Sequence, residues 1–177
     1  MTSQPLSAHI QETTLMTPAI QAWKIFLRDQ GRSHHTLKAF VADLNLLASY
    51  LPADKQLGQV TSMDLENFLN WLQTDRQVPC SPKTLSRRIT SLKSFFRWLT
   101  QNAVIASDPS EKIIQKTVTS PLPVTLTKTE VATALSAADG LRTAANPDPR
   151  PYLLLKLILE TAMKKGECLS LMTNHLD

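Results

Sequence analysis

Glycine is scarce in this chain, at four of 177 residues. Tight hairpins rely on glycine where φ is positive, so a hairpin-rich β protein is excluded as the first reading. Cysteine is scarcer still. Cys80 and Cys168 lie far apart and form neither a CxxC pair nor a zinc spacing, so buried or free thiols in a reducing cell are the plain reading. Long apolar runs are lacking too, since none approaches the ~20 residues that cross a bilayer. The amino terminus carries no basic stretch followed by an apolar one. A soluble cytoplasmic protein with no membrane partner is expected. At 42% hydrophobic, the chain has enough apolar mass for a sizeable core.

One further absence is local. Residues 81–100 contain five basic residues (Lys83, Arg87, Arg88, Lys93, Arg97) and no acidic one. Residues 1–80 hold six basic and seven acidic residues, and 101–177 hold eight of each. The net charge of +4 therefore resides on one short segment. That pattern suggests an element that meets a polyanion.

Helical signals fill the chain. Residues 1–16 are polar and poorly patterned and read as a flexible arm. Thr17-Pro18 reads as a cap followed by Pro at the first helical position, with Ile20, Trp23, Phe26 and Leu27 at helical spacing and Gly31 as the stop. Ser33 caps a second helix whose stripe is Leu37, Phe40, Val41, Leu44, Leu47, Ala48 and Leu51. Pro52 closes it. Thr61 or Ser62 opens a third helix with Leu65, Phe68, Leu69 and Leu72 inside. Ser81-Pro82 repeats the cap-plus-Pro signal and opens the basic helix.

With Leu85 as the reference direction and 100° per residue, Ile89, Leu92, Phe96 and Leu99 all fall within about 40° of it. Lys83, Arg87, Thr90, Ser94 and Arg97 fall on the opposite side. Lys93 and Arg88 flank the stripe. The expected element is a docked helix with an Arg/Lys/Ser/Thr face toward solvent.

Prolines at 109, 121 and 123 mark residues 106–124 as a linker. Thr127-Lys-Thr-Glu130 has the form of a capping box. A short helix through Val131, Leu135 and Ala138 follows, then a loop over 139–149. Pro151 opens a helix so apolar all round that it is expected to be buried. Residues 125–177 are few for a self-sufficient core.

The order of motifs carries a resemblance. Ser33-x-x-Thr36 with Asp43-Leu44 comes first, then Thr84-Leu-Ser-Arg87 through Trp98-Leu99. Asp108-Pro109, Leu126-Thr-Lys-Thr-Glu-Val131 and Thr161-Ala-Met-Lys-Lys-Gly-Glu167 follow. From about residue 17 onward the chain resembles the amino-terminal half of a tyrosine recombinase of the phage integrase family. The resemblance implies an all-α, four-helix, SAM-like core-binding domain over 17–105. It implies a linker over 106–124 and the start of a catalytic domain over 125–177. It also implies double-stranded DNA as partner, assembly on that DNA with the oligomeric state open, and no cofactor. Lys83, Thr84, Arg87, Arg88, Lys93 and Arg97 become candidate DNA contacts, joined by Ser33, Thr36 and Lys38 at a helix start that favours phosphate.

The family's chemistry uses an Arg, a Lys, a His-x-x-Arg, a further His or Trp, and a Tyr nucleophile whose attack gives a phosphotyrosyl link. Here the first Arg position holds Lys164, the preceding Gly position holds Ala162, and Glu167 matches the family's acidic residue. No histidine begins His-x-x-Arg. Tyr50 and Tyr152 lie in helices remote from the nucleophile's place. Lys for Arg replaces a two-pronged fork by a point charge. The expectation is DNA binding without strand cleavage by this chain.

Plainer readings stand beside these. The basic face can be a solvated surface, and Ser33 can be a simple cap. The Trp and Phe residues fit core positions better than base-stacking platforms. His34 and His35 lack a third ligand, so no metal site is expected. Two alternatives stay open: an amino-terminal piece of an active tyrosine recombinase, and a helical protein-interaction module.

Overall fold

The computed structural model describes residues 10–76, 78–115, 122–172 and 174. The chain divides into two compact units, Met1–Ser120 and Pro121–Asp177. Among the described residues it is helical, with one isolated antiparallel bridge between Leu15 and Gln56. No described helix is long and apolar enough to cross a membrane.

The first unit contains the four expected helices: α1 (Met16–Asp29), α2 (His34–Tyr50), α3 (Ser62–Trp71) and α4 (Pro82–Gln101). A short 3-10 turn, Leu57–Gln59, was not anticipated. Helix α1 starts ahead of Thr17, and its cap residue Leu15 makes no side-chain capping bond. The Leu15–Gln56 bridge holds the entry instead. Gly31 does end α1. At φ +71° it takes the left-handed position, Arg32 N donates to Leu27 O (3.1 Å) and Gly31 N to Arg28 O (2.9 Å). That pair of bonds is a Schellman closure.

Side-chain caps open the other three helices. Ser33, Thr61 and Ser81 accept from the backbone N–H of Thr36, Asp64 and Thr84. Asp64 reaches back to the Thr61 N–H at 2.8 Å, completing a capping box.

The helices bury one continuous core. Trp23, Phe68, Phe95 and Phe96 are fully buried within it. Trp23 stacks on Phe40 of α2 and meets Phe95 of α4 edge-on, with centroids 5.9 and 5.5 Å apart. Burying each such side chain contributes roughly 1.5–3 kcal/mol, so this three-helix aromatic contact is a main source of cohesion. Trp98 is buried and Trp71 partly so, as core positions require.

Two flanking segments join this unit. Residues 10–16 fall within the stretch read as a flexible arm, yet Ile10 and Met16 are buried. Leu57 N and Gly58 N donate to Thr14 O and Glu12 O at 2.9 and 2.8 Å. Residues 104–115 fall mostly within the stretch read as linker, yet Val104, Ile105, Ser110 and Ile113 are buried. Ser62 Oγ donates to Pro109 O at 2.8 Å, fixing this strap to the start of α3.

The second unit holds α5 (Lys128–Arg142), α6 (Arg150–Thr161) and α7 (Lys165–Leu169). Helix α5 runs through Gly140, past the point where a loop was expected. The expectation of a buried α6 is not met: none of its residues is buried, and Leu153, Ile158 and Leu159 are exposed. The reason is geometric. Within its unit α6 packs on α5 and α7, and two neighbours cannot cover an all-round apolar helix.

Candidate nucleic-acid interface

The basic segment forms α4, twenty residues long with Pro82 at its first turn. Its buried arc is wider than the stripe centred on Leu85. Ser91, Phe95 and Trp98 are buried in addition to Ile89, Leu92, Phe96 and Leu99. Phe95 and Trp98 lie about 80° and 140° round from Leu85, on the side of Arg88 and Arg87. The basic residues are therefore sorted into two groups rather than spread over one open face.

The first group surrounds Asp43 of α2, which is only 3% exposed. Arg87 Nη1 donates to Asp43 Oδ2 at 2.7 Å and to Ala39 O at 3.2 Å. Ser91 Oγ donates to the same carboxylate oxygen at 2.8 Å. Arg88 Nε lies 3.4 Å from Asp43 Oδ1, an ion-pair distance without hydrogen-bond alignment. Arg88 Nη1 points instead at Cys80 Sγ, 3.4 Å away. Burial pushes the Asp43 carboxyl above its ordinary range, and Ser91, Arg87 and Arg88 pull it back without cancelling that effect. The Arg88 side chain is 12% exposed, against 39% for Arg87. Arg88 thus faces inward, while Arg87 straddles the edge.

The second group faces out. Lys83 and Arg97 are exposed, and among the described residues neither has an ion-pair or hydrogen-bond partner. Lys93 is half-buried, with Nζ 3.5 Å from Glu111 O on the strap. A shallow cleft of about 450 Å³ is lined by Lys93, Arg97, Thr100, Asp108, Ser110 and Glu111. Its Asp108 carboxylate is already occupied by Ser110, through N (2.8 Å) and Oγ (2.6 Å). Farther along, Gln115 Nε2 donates to Ser86 O, Ser86 Oγ and Thr90 Oγ1. The strap covers part of the α4 surface that the sequence alone leaves to solvent.

The hydroxyl candidates are already engaged. Thr84 Oγ1 accepts from the capping Ser81 Oγ at 2.9 Å, and Ser33 Oγ and Thr36 Oγ1 share a bond of the same length. Lys38 is exposed on α2. Arg87 reaches the carbonyl of Ala39, one residue past Lys38, so the first halves of α2 and α4 meet at this point.

Sequence reasoning missed the Asp43 cluster. The available signal was charge accounting: α4 has five cations and no acid, so any neutralising carboxylate must come from another helix.

In the second unit, α6 ends at Ala162 in the left-handed conformation, φ 55°. The motif resemblance sets a glycine at this position. Lys164 follows at the start of α7 with its side chain 85% exposed. Glu167 Oε2 accepts from the Lys164 N–H at 2.8 Å, and its other oxygen lies 4.0 Å from Lys164 Nζ. His34 and His35 are exposed neighbours in the first turn of α2. His9 and His175 lie outside the described residues.

Residues 20–103 match the family model described as the phage integrase N-terminal SAM-like domain. The SAM-like domain coincides with α1 to α4, and the resemblance carried by the motif order is borne out. The chain is 27% identical over 148 residues to tyrosine recombinase XerD of Listeria monocytogenes serovar 1/2a, covering 84% of this chain and 49% of that protein. It is 26% identical over 152 residues to tyrosine recombinase XerC of Mycobacterium sp. (strain JLS), covering 84% and 50%. Tyrosine recombinase XerC of Mycobacterium tuberculosis (strain ATCC 25177 / H37Ra) is 27% identical over 150 residues, covering 83% and 49%. The chain thus spans about half the length of these relatives, and the matched regions extend past the SAM-like domain.

Proposed function

We propose that this chain binds duplex DNA through α4 of the SAM-like domain, as part of site-specific recombination. The observation that carries the reading is the outward cation set Lys83, Lys93 and Arg97. Among the described residues none of the three forms an ion pair with a carboxylate. Cations left unneutralised on one rigid helix are suited to phosphates, which position a protein without specifying sequence. Arg87 adds a fourth donor at the edge of the face. Lys38, with Ser33 and Thr36 at the start of α2, is a second contact in this proposal. Arg88 contributes through Asp43 rather than by touching DNA.

The same reading assigns 17–105 to DNA binding, the following stretch through 124 to connection, and 125–177 to the beginning of a catalytic domain. Strand cleavage is not assigned to this chain. It contains no His-x-x-Arg and no tyrosine in a nucleophile's setting. Lys164 supplies a point charge where the family pattern has a fork, and Glu167 is occupied as a helix cap. The names of the relatives favour one further reading, in which these residues are the amino-terminal portion of an active tyrosine recombinase.

Fluorescence anisotropy of a labelled duplex, titrated at two salt concentrations, tests the reading. Binding should weaken with salt by about 0.9 log units per log unit for each phosphate neutralised. Lys83→Glu with Arg97→Glu should abolish it at moderate salt. Salt-independent binding, or indifference to that charge reversal, overturns the proposal.

A further inference from the structure

We propose that Asp43 is a positioning residue for DNA binding: from inside the core it holds the Arg87 guanidinium at the rim of α4 with three N–H donors free for a phosphate. The inference rests on the DNA-binding reading above and adds the device that orients one of its contacts.

The donor count supports it. A guanidinium carries five N–H donors in a fixed fork. Arg87 uses both hydrogens of Nη1, one on Asp43 Oδ2 and one on Ala39 O. Those two bonds fix the plane and direction of the group. The hydrogens on Nη2 and Nε have no acceptor among the described residues, while the side chain is 39% exposed. A planar pair of free donors on a held group matches two phosphate oxygens.

The charge count points the same way. One carboxylate faces two guanidiniums, Arg87 and Arg88, so the cluster keeps a net charge of +1. Arg88 is nearly buried and cannot take a counterion from outside. The unbalanced charge is therefore reachable only at Arg87. Ser91 Oγ, itself buried, tightens the arrangement by donating to the oxygen that Arg87 uses. If Asp43 served stability alone, an inward-facing Arg88 would suffice, and Arg87 need not bridge from carboxylate to surface.

The test is a mutant cycle on the full chain, read by anisotropy with a labelled random-sequence 30-base-pair duplex. Arg87→Gln should weaken binding roughly tenfold, the worth of one charge-assisted hydrogen bond, and lower the salt slope by about 0.9. Asp43→Asn should do the same, and the double variant should bind no worse than either single one. Additive losses, or an Asp43→Asn protein that binds as the parent does, overturn the inference. Circular dichroism checks that each variant is folded. If Asp43→Asn unfolds, Arg87→Lys decides, because it leaves Asp43 and Arg88 in place. Lysine keeps the charge but cannot hold Asp43 and a phosphate together, so most of the tenfold loss should persist. Parent-like binding by Arg87→Lys shows that charge alone suffices and overturns the positioning role. Failure of the parent chain to bind the duplex at low salt overturns the DNA reading itself, a result distinct from an additive cycle.

Discussion

An apolar helix of this chain is among its least buried, and the most basic helix is among its best packed. Helix α6 carries Tyr152-Leu-Leu-Leu-Lys-Leu-Ile-Leu159, yet none of its residues is more than partly buried. Helix α4 has five cations and buries seven residues. Burial follows the number of neighbours an element has, and apolar content supplies only the demand for them. In the first unit, α1, α2 and α4 meet around Trp23. In the second, α5 and α7 flank α6 on part of its surface, and only Ala138 and Cys168 are buried among the described residues.

The largest expected effect tests that contrast directly. Trp23→Ala should cost about 3–5 kcal/mol by leaving a cavity where three helices converge. Leu153→Ala on α6 should stay within about 0.5 kcal/mol, because that side chain is already 58% exposed. Urea denaturation followed by circular dichroism measures both. Equal costs would show that α6 is buried in solution and would break the comparison.

Hydrogen exchange gives the next effect. Amides in the middle of α4 should exchange at least about a hundredfold more slowly than those of α6, since their opening requires loss of the shared core. Similar protection would again refute the contrast.

A smaller effect compares one motif in two settings. Thr61–Asp64 and Thr127–Glu130 are both capping boxes. Thr61→Ala should lower the main unfolding transition by about 1 kcal/mol, whereas Thr127→Ala should fray α5 without moving that transition. The first box also carries a pH signature. Burial pushes the Asp64 carboxyl up, but Lys55 at 2.8 Å and the Thr61 N–H and O–H outweigh it and hold it below its ordinary range. Its folded pKa is thus depressed, so its stabilisation is present above the unfolded value of about 3.9 and is lost as pH falls through the folded value. Asp64→Asn should flatten the acid limb of the stability curve below about pH 4.

The smallest effect sits at Ala162. A left-handed alanine costs about 1 kcal/mol relative to glycine, so Ala162→Gly should slow exchange of the α7 amides slightly and leave the first unit unchanged.

Much of the first unit was legible in the sequence because its signals are local. Ser33, Thr61 and Ser81 name helix starts, Gly31 names a stop, and the stripes of α2 and α4 name their inner faces. The Asp43 cluster was not legible, because two side chains forty-four positions apart along the chain meet only after α2 and α4 have packed. The wheel centred on Leu85 placed Arg87 on the open face and gave Phe95 and Trp98 no share in setting its centre. The strap was missed for a related reason. Prolines at 109, 121 and 123 signal extended backbone, and extended backbone can lie against a core as readily as away from one. The burial of α6 was overestimated because a hydropathy pattern counts what a helix needs covered and says nothing about what is available to cover it.

Gln115 makes three contacts to the surface of α4 with a single side-chain amide. That amide is the last described fastening before the chain leaves the first unit. A ligand that claims the Ser86 and Thr90 hydroxyls must displace that amide. One amide thus occupies two α4 hydroxyls at once, and a ligand for either competes with the chain itself.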